Sequence, residues 1–223
     1  MNYRDLKELV AQSLQNDKVK ALIPSFIEQG QKLLERKLRL RSMETFYIGS
    51  AQNPVVTLAA NVNVLALPSD YLELIHFSLI SGTNRYPLFD RFSARCSIDS
   101  IPFTDTTNKG LPTRITRRGD NLAFNYYTDK VYDYEIGYFK KLTALTNEAD
   151  TNWWTTDAFD ALLYASLYCA SSVLPLIETS RGFMADPRIT AWAHSLDNIL
   201  TDLIHVDNKE RLSGSPKRTR YSD

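Results

Sequence analysis

Apolar residues recur every three to four positions at both ends of this chain, but every second position between residues 43 and 141. One fold must therefore join helices to an inserted sheet. Leu6, Leu9, Val10 and Leu14 keep helical spacing near the start. A second helix is predicted from near Pro24, which a first turn tolerates, to about Arg41, striped by Phe26, Ile27, Leu33, Leu34 and Leu38. Phe159, Leu162, Leu163, Leu167, Ala170, Val173 and Leu174 mark a third, capped by Thr155 or Thr156 and stopped by Pro175. Asp186–Pro187 opens a fourth, with Ile189, Trp192, Ala193, Leu196, Ile199, Leu200 and Leu203 along one face. The last two should pair antiparallel, Trp192 and Leu196 against Leu163 and Leu167.

Between the helices, 71–80 is apolar on both faces, as in a strand covered on both sides. Leu122, Phe124 and Tyr126 share one face, and so do Tyr132, Tyr134, Ile136 and Tyr138. Turns at 117–121 and 128–130 make 113–139 read as an antiparallel meander, its tyrosine face laid on the helices. A short helix fits 93–100, and 49–63 reads as a loop or an edge hairpin. The expected class is α+β, in four parts. Residues 1–42 and 143–208 supply a helical bundle, 43–142 a β-rich insertion, and 209–223 a flexible, extended tail. That tail sets Lys209, Arg211, Lys217, Arg218 and Arg220 against Glu210 and Asp223, with no core-forming pattern.

Composition narrows the function classes. With 223 residues, 43% hydrophobic and 11% aromatic, the chain is no disordered segment. It can bury roughly 72% of its surface, so it needs no disulfide or structural metal. Lys and Arg total 26 and so do Asp and Glu, which gives no overall pull toward nucleic acid or anionic lipid. Cys96 and Cys169 lack redox or zinc spacing, and Cys169 reads as a small buried thiol. The charge-free run 161–177 is short for a membrane span and holds Ser166, Ser171, Ser172 and Pro175, so it reads as a core helix. The opening MNYRDLKELV is no secretory signal, and a cytoplasmic setting is expected.

The search for chemistry finds no phosphate loop, zincin helix or nucleophile elbow. His76, His194 and His205 stand apart from clustered carboxylates or thiols. Glu148, Asp150, Asp157 and Asp160 do not match a calcium loop, and three of them are expected as turn or cap residues. No catalytic residue, cofactor or metal is expected. Two features suit interaction instead. Arg36, Lys37, Arg39 and Arg41 complement a helix dipole and ordinarily make a solvated helix end. Of Trp153 and Trp154, one should staple the helix to the sheet while the other stays half exposed.

In order, IPSFIEQGQKLLERKLRLRSME (23–44), LPSDYLELIHFSL (67–79), GLPTRITRRGDNLAF (110–124), YEIGYFKKLTALTNEADTNWWTTDAFDALLYASL (134–167) and DPRITAWAHSLDNILTDL (186–203) form one series. The series resembles the head-to-tail adaptor, or connector, proteins of tailed bacteriophages, including the tail tubular A type. Tyr127–Thr128–Asp129 departs from it, standing where those proteins have a proline-containing turn. The resemblance implies a ring of identical subunits, usually twelve, beneath the portal of a filled capsid. It would extend the DNA channel and present a platform to a tail or nozzle. The implied partners are other copies of the chain, the portal, the tail or nozzle, and packaged DNA passing without sequence recognition; no membrane is involved. The location would be the virion's head–tail interface, after assembly in the host cytoplasm.

On this reading the tail docks on the portal through Arg211, Leu212, Lys217, Arg218, Arg220 and Tyr221. Arg36, Lys37, Arg39, Arg41, Trp153 and Trp154 would serve subunit or channel contacts, the basic end meeting the acidic stretch 148–160 of a neighbour. The alternative is a nucleic-acid-binding virion accessory protein using the same cations, with steeply salt-dependent affinity. A small enzyme would need convergent titratable groups, which the sequence does not show.

Overall fold

In a computed structural model of the protein, helices and largely antiparallel sheets make up an α+β fold. The structure describes residues 1–48, 57–90, 107–171, 177–179, 182–184 and 187–213. The expected helix at 93–100, Cys96, the Pro175 stop, the Asp186 cap and the tail beyond Ser213 lie outside those residues. Contacts divide the chain into two units: the described parts of Met1–Ser42 and Leu142–Asp223, and those of Met43–Lys141.

In the helical unit, α1 (Tyr3–Leu14) starts with a reciprocal cap. Asn2 Oδ1 accepts from Asp5 N at 3.0 Å and Asp5 Oδ2 accepts from Asn2 N at 3.1 Å. Tyr3, Leu6, Val10 and Leu14 face inward. The second helix, α2 (Ile23–Lys37), buries Phe26, Ile27, Gly30 and Leu34. It stops four residues short of the expected Arg41, because Leu38 turns extended at φ −115°, ψ 147°. The Arg39 guanidinium then caps the freed carbonyls, donating to Glu35 O at 2.6 Å and Leu38 O at 2.8 Å.

A short turn of helix, α3 (Trp153–Thr156), precedes α4 (Phe159–Ala170), so the single expected helix is two. Asn152 caps α3, whereas α4, which carries the expected apolar residues from Phe159, has Ala158 at its N-cap with no side-chain bond, in place of the expected Thr155 or Thr156. A small hairpin of β10 (Ile177–Thr179) and β11 (Gly182–Met184) leads to α5 (Pro187–Ser213), which begins at its proline as expected. α4 packs against α1, α2, α3 and α5, so its apolar residues cannot be confined to one stripe. Trp192, Leu196 and Leu200 form the buried line of α5, and Leu167 is buried on α4 while Leu163 is half-buried.

The close approach of α2 to α4 depends on Gly30. A Cβ there would stand 2.9 Å from Ser166 N and 3.1 Å from the Ala165 carbonyl carbon. Gly30→Leu should therefore destabilise the protein by about 1–3 kcal/mol, although leucine is the better helix former. Chemical denaturation checks this; an unchanged midpoint would mean the helices do not touch there. Nearby, Glu35 Oε1 accepts from Gln31 Nε2 and from Leu142 N, each at 3.0 Å. Asn152 Nδ2 donates to Thr143 O at 2.8 Å. These bonds tie the returning chain to α2 and satisfy a buried carboxylate.

The second unit holds two sheets. One runs β1 (Glu44–Ile48), β9 (Tyr132–Lys140), β4 (Tyr71–Ser81), β5 (Asn84–Pro87), with β2 (Thr57–Leu58) also on β9. The other runs β3 (Val64–Ala66), β8 (Asn121–Phe124), β7 (Arg114–Arg118), β6 (Phe89–Asp90), with β6 parallel to β7. Their inner faces share one core, where Phe77 lies 5.7 Å from Phe124 and 5.4 Å from Tyr134 between ring centroids.

Four expectations change here. β8 and β9 lie in different sheets, so 113–139 is no three-stranded meander. The tyrosine face of β9 meets the other sheet, through Phe124, Ile115 and Leu122, rather than helices. β4 is buried on both faces only at Phe77, Ser78 and Leu79, whereas Ile75 is 39% exposed. Tyr126 falls past the end of β8 and is exposed.

At the departure from the expected proline turn, Thr128 is fully buried. Its Oγ1 accepts from Val62 N at 3.1 Å and donates to Ala59 O at 2.6 Å, holding the turn at Asn61 (φ 61°). On the outer face, a Cβ at Gly137 would enter the ring of Phe46, its cross-strand partner.

Candidate interaction surfaces

The end of α2 places its cations in unequal settings. Arg36 and Lys37 occupy its last turn and are exposed, while Arg39 turns back as the cap and is half-buried. Arg41 lies in a 3-10 turn, Arg41–Met43. Its backbone N–H donates to Asp207 Oδ1 of α5 at 2.6 Å. Arg211 Nε donates to the other oxygen of Asp207 at 2.6 Å, and Arg211 Nη2 to Arg39 O at 3.3 Å. The two basic stretches, far apart in sequence, thus meet at one end of the helical unit.

This geometry corrects the tail. Residues 209–213 continue α5, since Arg211 pairs with Asp207 one turn back and extends the helix. Of the six residues assigned to docking, Arg211 is engaged within the chain and Leu212 is exposed on the helix. Lys217, Arg218, Arg220 and Tyr221 lie outside the described residues.

Trp154 is fully buried and Trp153 half-buried, their rings edge to face at 5.0 Å. Only Trp153 of the pair has surface to offer a partner.

The acidic stretch is largely spent on local structure. Asp150 Oδ2 accepts from Asn147 N at 2.7 Å and from Thr146 N and Oγ1 at 2.8 and 3.0 Å. Those backbone and hydroxyl donors favour the charged carboxylate and hold its pKa at about 2, below the usual 3.8. Glu148 pairs with Lys7 at 3.2 Å, Asp157 ends α3, and Asp160 accepts from Ala161 N at 2.9 Å.

A pH prediction follows from Asp150. Because its folded pKa lies below the unfolded value, its contribution is present above the unfolded pKa and is lost as pH falls through about 2. Asp150→Asn should lower Tm near neutrality, and that difference should shrink between pH 4 and pH 2. Melting curves across that range check it. A difference that does not vary with pH would show that the turn does not depend on the charge.

The remaining groups do not converge. His76 Nε2 is 2.9 Å from Ser78 Oγ, and His194 and His205 are exposed on α5. Cys169 is half-buried; burial pushes its thiol pKa up while Arg36 pulls it down. Among the described residues, no three His, Cys, Asp or Glu side chains gather as metal ligands. A cavity of about 500 Å³ beside β4 is lined by Tyr71, Glu73, His76 and Arg117, among others. Arg117 lies 5.2 Å from the Tyr71 ring and donates to Gly119 O at 3.0 Å. Sequence reasoning missed Asp207, Gly30 and Thr128; only Asp207 left a trace, in its i, i+4 spacing from Arg211.

Comparison with known families supplies the context of these surfaces. The sequence matches the SU10 adaptor protein family over residues 1–220. The chain belongs to that family. The resemblance read from its ordered motifs therefore holds over essentially its whole length. No curated protein matches it. The SU10 adaptor family is one of structural phage adaptors, not of known enzymes. Its members suit a place in the virion, among other head–tail proteins. Among the described residues no helix of this adaptor is long and apolar enough to cross a membrane.

Proposed function

We propose that copies of this adaptor close into a twelve-membered ring that seats beneath the portal, extends its DNA channel and presents a platform to the tail or nozzle. The family match over residues 1–220 carries the reading. The described surface supports it: exposed Arg36, Lys37 and Arg41 and half-buried Trp153 are available for subunit or channel contacts. Assembly takes place in the host cytoplasm, DNA passes without sequence recognition, and the role needs no reaction.

Residues 214–223 dock on the portal through Lys217, Arg218, Arg220 and Tyr221. Three cations, Lys217, Arg218 and Arg220, beside the single aromatic Tyr221 suit contact with acidic or carbonyl groups of a partner. Deleting 214–223 should leave Tm within about a degree of the parent, since the segment carries no core-forming pattern in its sequence. The same deletion should weaken capture by portal rings. Melting curves test the first part, and negative-stain images of portal rings mixed with the chain test the second. An added tier in the full-length sample, reduced after deletion, is expected; equal occupancy by the shortened chain would remove the tail as tether. Binding to DNA with a steep salt dependence, and none to the portal, would favour the nucleic-acid reading.

A further inference from the structure

The last turns of α5 pose a packing problem. Trp192, Leu196 and Leu200 are buried, but Ile204, Val206 and Leu212 beyond them are 47%, 52% and 75% exposed. Apolar burial therefore does little to hold this end of α5 to the body. Asp207 supplies what is missing. Its side chain is only 11% exposed and its two oxygens receive Arg41 N and Arg211 Nε, each at 2.6 Å. Arg211 Nη2 completes the contact on Arg39 O at 3.3 Å. Charge-assisted bonds of this length are the strong class, and here one carboxylate joins two segments 166 residues apart.

We propose that Asp207 is a latch that fixes where and in which direction the C-terminal segment leaves the body, making it a positioning residue for portal docking by residues 214–223. The docking half of this rests on the adaptor reading above. Arg211 then acts within the chain, as the latch's second arm, and not on the portal. Linkage makes the device reciprocal: whatever orders the end of α5 also orders Arg39–Arg41, close to where the chain leaves the helical unit after Ser42.

The test uses the full-length chain and purified portal rings, with amide hydrogen exchange and portal capture as readouts. Asp207→Ala should speed exchange in 39–43 and 204–213 by about tenfold or more. Asp207→Asn keeps an acceptor for Arg41 N but loses the charge that draws Arg211, and should fall between. Asp202→Ala, on an exposed part of the same helix, should match the parent. Capture of Asp207→Ala should drop several-fold although its residues 214–223 are intact. Unchanged exchange in Asp207→Ala overturns the latch. Faster exchange with unchanged capture overturns the positioning role. If the parent chain itself is not captured, the adaptor reading falls while the exchange data still decide the latch.

Discussion

Trp154→Ala should cost the helical unit about 3–5 kcal/mol, because an indole of 0% exposure would leave a cavity its neighbours cannot fill. Trp154 belongs to α3, which Asn152 caps from both sides: Asn152 Oδ1 accepts from Thr155 N at 3.2 Å and Thr155 Oγ1 accepts from Asn152 N at 2.9 Å. That cap and the bond from Asn152 to Thr143 O resist collapse of the backbone into the space. Among the described residues the Trp154 Nε1–H has no hydrogen-bond partner, so truncation orphans no acceptor there and the loss is one of packing. Trp153→Ala is the internal control. It removes a half-buried ring and should cost markedly less. Urea denaturation followed by circular dichroism compares the two. A Trp154→Ala midpoint equal to the parent's, or a larger loss at Trp153, would mean the indoles are placed the other way round.

Phe77→Ala should cost a similar amount, about 3–5 kcal/mol, in the β unit. Phe77 is 1% exposed and its ring bridges the sheets, toward Tyr134 on its own sheet and Phe124 on the other. Ile75→Ala, two residues earlier on β4, should cost far less, since Ile75 is 39% exposed. The comparison separates a strand buried throughout, as its sequence suggests, from one buried only where the second sheet covers it. Equal losses at the two positions would favour the former.

The helical ends were legible because burial on one face imposes a period that survives in the sequence, as at Leu6, Val10 and Leu14, with Leu9 half-buried beside them. Pro187 marked its helix start for an equally local reason, the fixed φ of the ring. The hairpin 114–124 followed from the turn at Gly119, whose φ of +60° a side chain would strain. Partner choice was not legible. Alternation tells which residues share a face but not which strand lies beside them, so Phe124 and Tyr134 looked like neighbours in one sheet and are opposed across two. The end of α2 was hidden for a different reason. Arg39 suits a helix as well as it suits the cap it makes, and only the extended Leu38 decides between them. Asp207 showed only its i, i+4 spacing from Arg211, because its other partner lies in the first quarter of the chain.

Reading a family from ordered motifs succeeded where single motifs are weak, and residues 1–220 belong to the SU10 adaptor proteins. The adaptor role itself is tested most directly by cryo-EM of particles assembled with and without this chain. The account expects DNA-filled heads that lack tails when the chain is missing, and tails restored when it is supplied. Tailed particles assembled without it would contradict the account.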